Sequence, residues 1–116
     1  VKRRFRLKKS TDFQRVRRAG KSYAHPLVVL IAYPNEGQAT RFGVAAGRSL
    51  GGAVQRNRAR RLLRAGLASL IPRVLPGWDV VLLARGPLLA VRAQEAQSAI
   101  QALLGRAKLL RQNDAV

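Results

Sequence analysis

Cysteine is absent from the chain, so disulfides, thiolate metal sites and thiol nucleophiles are excluded. Acidic residues are nearly absent too. The five present, Asp12, Glu36, Asp79, Glu95 and Asp114, are scattered with no metal-ligand spacing between them. A single histidine, His25, cannot form a metal-binding pair or divide acid and base work with a second imidazole. It precedes Pro26 in an expected bend and reads as a surface or loop-satisfied residue. Serines and threonines are present, but none has an evident base. No apolar stretch reaches membrane-spanning length, and no apolar core follows the N-terminal basic run as it would in a secretory signal. The expectation is a soluble, cytoplasmic protein without membrane contact, poorly equipped for catalysis by its own side chains.

What the chain holds in quantity is positive charge. Twenty-three Lys and Arg against 5 Asp and Glu give a formal net charge of +18 over 116 residues. A hydrophobic content of 47% argues for one folded domain rather than a disordered basic tail. A folded domain this charged repels itself and is relieved by a polyanion, of which nucleic acid is the first candidate. Ten of the basic residues lie in positions 1–21, seven in 41–64 and six elsewhere, which places two basic blocks on a nearly neutral scaffold.

The second block culminates in Gly51-Gly52-Ala53-Val54-Gln55-Arg56-Asn57-Arg58-Ala59-Arg60-Arg61-Leu62-Leu63-Arg64, with five arginines between positions 56 and 64. At helical spacing Ala59, Leu62, Leu63, Gly66, Leu67 and Leu70 share one side. Asn57, Arg60, Arg61 and Arg64 gather opposite, and Arg56 and Arg58 flank the apolar stripe. The segment reads as a packed helix presenting a rigid guanidinium face suited to phosphate oxygens. The two glycines read first as a tight turn and second as an anion nest at the helix N-terminus; they are not part of a P-loop pattern.

Around this helix the pattern alternates in period. Residues 1–9 are expected as an extended basic arm, followed by a short helix with Ser10 as N-cap, Asp12 in its first turn and Gly20 at the C′ position. Phe13 on that helix is either a plain core residue or a groove-edge ring for stacking on a base. Strands are expected at 21–24, 27–33, 41–48 and 78–84. Within the third, Phe42, Val44 and Ala46 face one way and the small residues Gly43, Ala45 and Gly47 the other, under another backbone, a ligand or a packed helix. The basic helix should run over 52–71, closed by Pro72, and a last helix over 92–104. The fully apolar strand 78–84 should be covered on both faces and pair parallel with its predecessor. The order α-β-β-β-α-β-α indicates a single domain over 1–116, an α/β (α+β) two-layer sandwich with a mixed sheet and a frayed tail at 106–116.

Several of these stretches, in order, resemble the bacterial ribonuclease P protein subunit over about residues 6–110. They are Arg6-Leu7-Lys8-Lys9-Ser10-Thr11-Asp12-Phe13-Gln14-Arg15-Val16, Gly20-Lys21-Ser22, Arg41-Phe42-Gly43-Val44, the Gly52-to-Arg64 run with its Arg56-Asn57-Arg58 triplet, and Gly77-Trp78-Asp79-Val80-Val81-Leu82-Leu83-Ala84-Arg85. The resemblance implies a fold like the second domain of ribosomal protein S5, with a left-handed crossover through the basic helix where pattern alone gives a right-handed one. It implies an accessory protein in the endonucleolytic removal of the 5′ leader from precursor tRNA. The hydrolysis itself would be carried by a large RNA subunit with Mg²⁺ held mainly by that RNA and the substrate. By position, Arg56, Asn57, Arg58, Arg60, Arg61 and Arg64 would contact the RNA subunit. Phe13, Arg17, Ile31 and Arg48 would line a cleft for the single-stranded leader, and Arg6, Lys8 and Lys9 would form the basic arm. Asn57 would bond RNA or buttress its arginine neighbours. No catalytic residue, protein-held metal or obligate protein partner is implied. The chain departs from the family pattern at Arg17 and Ile31, where relatives often carry aromatics, and at Arg48-Ser49, where they carry paired lysines. The leader cleft here would therefore lean on charge more than stacking. The competing reading is a structural RNA-binding protein of ribosomal type, which would co-sediment with ribosomes and leave tRNA 5′ ends unaffected. An autonomous nuclease would cleave RNA as purified protein.

Overall fold

The computed structural model describes residues 5–111. Three helices and four strands follow one another as α1 (Ser10–Ala19), β1 (Lys21–Ala24), β2 (Val28–Pro34), β3 (Arg41–Ala46), α2 (Ala53–Ala68), β4 (Trp78–Ala84) and α3 (Ala93–Arg106). Short 3-10 turns stand at Arg48–Leu50, Ile71–Arg73 and Gly86–Ala90. The strands form one mixed sheet in the order β1-β2-β4-β3. β3 runs parallel to β4, in the register Arg41 to Asp79 through Ala46 to Ala84, and the other pairings are antiparallel.

The central place of β4 follows from its sequence. Val80, Val81 and Leu82 are consecutive and fully buried, so neither face of this strand tolerates water. One face, with Val28 and Leu30 of β2, Phe42 of β3 and Val80 and Leu82 of β4, packs against Leu63 and Leu67 of α2 and Ile100, Leu103 and Leu104 of α3. The opposite face carries a smaller core in which Leu7, Val16 of α1, Ile31 and Val81 are buried, with Phe13, Val29, Tyr33 and Leu83 packed around them. The expected two-layer sandwich is thus extended by a partial third layer. α2 and α3 cover only one side of an all-apolar central strand, and α1 covers the other.

Local chemistry at several element ends differs from expectation. Lys9, not Ser10, is the N-cap of α1 and makes no side-chain cap bond. Gly20 ends α1 at φ −76°, in extended rather than left-handed backbone. Its small size serves close packing instead, since a Cβ there would stand 2.8 Å from the Ile31 side chain. α2 ends at Ala68, and the chain continues through the Pro72-containing turn. The arm is pinned from residue 5 onward: Phe5 packs on the larger core, Leu7 is buried, and the Leu7 N–H donates to the Phe42 carbonyl at 2.8 Å. Residues 1–4 lie outside the described residues. The tail also docks. Leu109 is 1% exposed and its carbonyl accepts the Leu75 N–H at 2.7 Å, while the Arg111 N–H donates to the Arg73 carbonyl at 2.7 Å. An apolar Leu109-Leu110 pair gains more from burial than a frayed end would. Residues 112–116 lie outside the described residues.

Candidate nucleic-acid interface

The entry to α2 is a closed turn. Gly51 has φ 123°, the left-handed region that favours glycine, and its N–H donates to the Arg48 carbonyl at 3.1 Å. The Gly52 N–H is taken by Oε1 of Gln55 at 3.1 Å, so the helix supplies its own acceptor for that donor. From there Ala59, Leu63, Gly66 and Leu67 seat the helix on the sheet and α3. Leu62 is only half-buried and lines a shallow depression with Arg58, Arg61 and Ala65. The buried stripe is therefore narrower than the expected one and is centred further from Leu62.

That shift divides the arginines. Arg56, Arg60 and Arg64, spaced four apart, form one half-buried row along the flank of the helix. Arg58 and Arg61 are exposed on another flank, beside Leu62 and below Val54, which is 76% exposed. The expected single face of Asn57, Arg60, Arg61 and Arg64 is thus two arginine sets aimed differently. Nη2 of Arg60 donates to Oδ1 of Asn57, so Asn57 buttresses the neighbouring guanidinium.

The row ending in Arg64 leads to a depression of about 90 Å³ lined by Arg6, Leu7, Phe13, Phe42, Gly43, Val44, Arg64 and Leu67. Four segments meet here: the arm, α1, β3 and α2. Phe13 reaches the sheet because Gly43 has no side chain; the ring lies where a Cβ would stand 2.7 Å from its Cζ. Phe13 is half-buried, so its ring both packs on the smaller core and borders the depression. Arg17 and Arg48 are exposed but do not line it, the first one helical turn beyond Phe13 on α1 and the second in the turn after β3. Ile31 is 5% exposed beneath α1 and has almost no surface for a ligand. Lys8 and Lys9 are exposed just before α1.

A network not anticipated from the sequence holds α1 in place. Arg41 donates from Nε to Oδ1 of Asp79 at 2.9 Å and from Nη2 to Oδ2 at 2.7 Å, a bidentate pair. Its Nη1 lies 3.5 Å from Oδ2 of Asp12 on α1, and Asp12 also pairs with Arg15 at 3.3 Å. Hydrogen bonding to Asp79 raises the Arg41 pKa above the ordinary arginine value; burial opposes this, and the charges of Asp79 and Asp12 add to it. The one available signal was the acid opening an otherwise apolar strand, at Asp79. Glu95 accepts the Arg92 N–H at the start of α3, and Nδ1 of His25 accepts the Leu27 N–H at 3.1 Å. Among the described residues no three His, Cys, Asp or Glu gather as a metal site, and two of the acids are already matched to Arg41.

Fold and site define a small, strongly basic α/β domain whose cationic elements converge to meet a polyanion. The family model for ribonuclease P matches residues 1–108. The chain belongs to the ribonuclease P protein component family. It is 40% identical over 115 residues to the ribonuclease P protein component of Roseiflexus sp. (strain RS-1), covering 98% of this chain and 94% of that relative. With the corresponding protein of Symbiobacterium thermophilum it shares 41% identity over 111 residues, covering 95% of this chain and 96% of that one. Among solved structures it resembles the RNase P protein of Staphylococcus aureus with a TM-score of 0.80 and 29% identity, over 92% of this chain and 98% of that one. The RNase P protein of Thermotoga maritima superposes with a TM-score of 0.77 at 26% identity, over 87% and 96% of the two chains.

Proposed function

We infer that this protein is the accessory subunit of a ribonuclease P ribonucleoprotein, assisting a catalytic RNA subunit in endonucleolytic removal of the 5′ leader from precursor tRNA in the cytoplasm. The observation that carries the site assignment is the meeting of Arg6, Phe13 and Arg64 at one depression, beside the arginine rows of α2. Rigid guanidinium groups on a helix hold phosphate at fixed spacing, and a half-buried ring beside them offers a stacking surface to a single-stranded nucleotide. α2 would face the RNA subunit through Arg56, Asn57, Arg58, Arg60, Arg61 and Arg64, with Arg64 also reaching the leader. The same reading carries the finer fold assignment, a domain like the second domain of ribosomal protein S5 with a left-handed β3–α2–β4 crossover.

Mg²⁺ would serve the cleavage from the RNA and the substrate. Among the described residues the donor set does not fit a protein-held Mg²⁺: Asp12 and Asp79 are bound to arginine and no acidic cluster accompanies them. Reconstitution with a cognate RNA subunit at low Mg²⁺ tests the proposal. Added protein should tighten binding of leader-bearing over leaderless tRNA and raise the cleavage rate; no change in either would sink it.

A further inference from the structure

The chain contains one tryptophan and two tyrosines, and all three line a single depression of about 220 Å³. Tyr23 comes from β1 and Trp78 from β4; both rings pack on the larger-core face of the sheet and are half-buried, with part of their surface left open, whereas the Tyr33 ring belongs to the smaller core on the other face. Lys21 stands at the rim and is exposed. Two cations already lie near the face of Tyr23, with Lys21 Nζ 5.6 Å and Arg106 Cζ 5.9 Å from the ring centroid. The remaining walls are alanine, proline and leucine; none is acidic. Asp79, adjacent to Trp78 in sequence, is 3% exposed and bound to Arg41, so its charge is matched inside the fold. Lys108, between two lining residues, is exposed. This depression lies at the β1 side of the sheet, and it shares no lining residue with the Arg6–Phe13–Arg64 depression at the β3 edge.

We propose that the Tyr23–Trp78 depression is a second nucleic-acid subsite, which takes an unpaired base of an RNA strand and places the adjoining phosphate against Lys21. Aromatic faces with a cationic rim are the combination that binds single strands without sequence preference: the rings stack the base, and the cations meet the backbone. A purely apolar ligand would gain nothing from the rim. A bare phosphate would gain nothing from two rings. The inference rests on the reading of this protein as RNA-binding and adds a contact away from α2.

Trp78, as the sole tryptophan, reports on this subsite and not on the other. Titration of the full chain with a single-stranded oligouridylate of eight nucleotides should quench its fluorescence saturably. Tyr23→Leu should weaken the fitted affinity about 5- to 100-fold, the range of one lost base–aromatic stack. Lys21→Gln, an exposed change that leaves the walls intact, should lower the log–log salt slope by about 0.7. Phe13→Ala should leave the quenching curve in place. Absence of quenching, or quenching that Lys21→Gln leaves untouched and Phe13→Ala abolishes, overturns the subsite. If stimulation of precursor-tRNA cleavage persists in the same preparation, only the subsite falls. If both stimulation and quenching are absent, the ribonuclease P reading falls with it.

Discussion

Gly43→Ala strikes the contact on which the position of Phe13 depends. A Cβ at Gly43 would stand 2.7 Å from Cζ of Phe13, whereas carbon atoms in contact sit about 3.5–4.0 Å apart. The ring must then retreat by at least about 1 Å, the difference between those separations, since its Cε2 would lie closer still. It has little freedom to do so, because Val16 fixes α1 from below with no exposed surface and the Asp12–Arg41 pair ties its first turn to β3. Overpacking of this kind costs about 1–3 kcal/mol. Gly43 does not have positive φ, so alanine adopts its backbone and recovers about 0.4–1 kcal/mol by restricting the unfolded chain. The net loss should be on the order of 0–2.6 kcal/mol, combining those two ranges. Phe13→Ala alone removes a half-buried ring and should cost about 1–3 kcal/mol, below the range for a fully buried phenylalanine. In the double variant the methyl enters space the ring has left, so the two losses should not add; the coupling should be about 1–2 kcal/mol. Urea unfolding of the four proteins at one ionic strength measures it. Additivity within about 0.5 kcal/mol would refute the idea that Gly43 exists to seat Phe13.

The remaining predictions separate charge from packing. Leu63→Ala and Leu67→Ala, both at fully buried positions, should each lower stability by about 2–5 kcal/mol, read by denaturant unfolding, while the salt slope of RNA binding stays unchanged where the protein is folded. Arg60→Ala, Arg61→Ala and Arg64→Ala should each flatten that slope by about 0.7–0.9 with little loss of stability. Of these, Arg64→Ala should weaken leader-bearing tRNA more than leaderless tRNA, and Arg61→Ala should weaken both alike, because only Arg64 borders the Phe13 depression. Arg41→Ala should cost about 3–5 kcal/mol, since it leaves the buried Asp79 carboxylate without its cationic partner, the neutral Asn35 amide still donating to it. The Arg41 pKa is raised in the fold, so its contribution is complete throughout the neutral range and is lost only as pH climbs past the ordinary arginine value. Thermal unfolding of the parent should accordingly show no transition near neutrality that Arg41→Ala removes.

The elements with strong period were legible in the sequence. The strand at 78–84, apolar apart from Asp79, implied burial on both faces and parallel pairing with its predecessor, and β4 is the central strand, paired in parallel with β3. The arginine helix was legible because its apolar positions recur at helical spacing. What escaped was whatever depends on which face a partner occupies. Helical periodicity fixes an angle only to within a side chain or two, so the split of the arginines into an Arg56–Arg60–Arg64 row and an Arg58–Arg61 pair required knowing where α3 and β3 lie. The same limit applies to Ile31. Alternation placed it on the second sheet face, but only the docking of α1 puts that face under cover at this point. The terminal segments looked free because charge density suggested solvent, whereas Phe5, Leu7 and Leu109 each bury apolar surface between the cations.

The few acids explain how so basic a chain folds and where its charge is left. Asp12 and Asp79 both face Arg41, which links α1 to the sheet, and Glu95 accepts a backbone N–H at the start of α3. Negative charge is thus used inside the fold to place helices, and little of it opposes the exposed cations. Those cations sit on the arm, α1 and α2, three segments that the packing of Leu7, Phe13 and Leu67 brings to one sheet edge. Like charges gathered in this way raise the energy of the folded state. A polyanion that bridges them removes the repulsion and binds the folded form, where they are gathered, more tightly than the unfolded chain, so RNA binding and folding stability are linked. On the proposed function, the surface that destabilises the isolated protein would be the same surface that makes the ribonucleoprotein hold together.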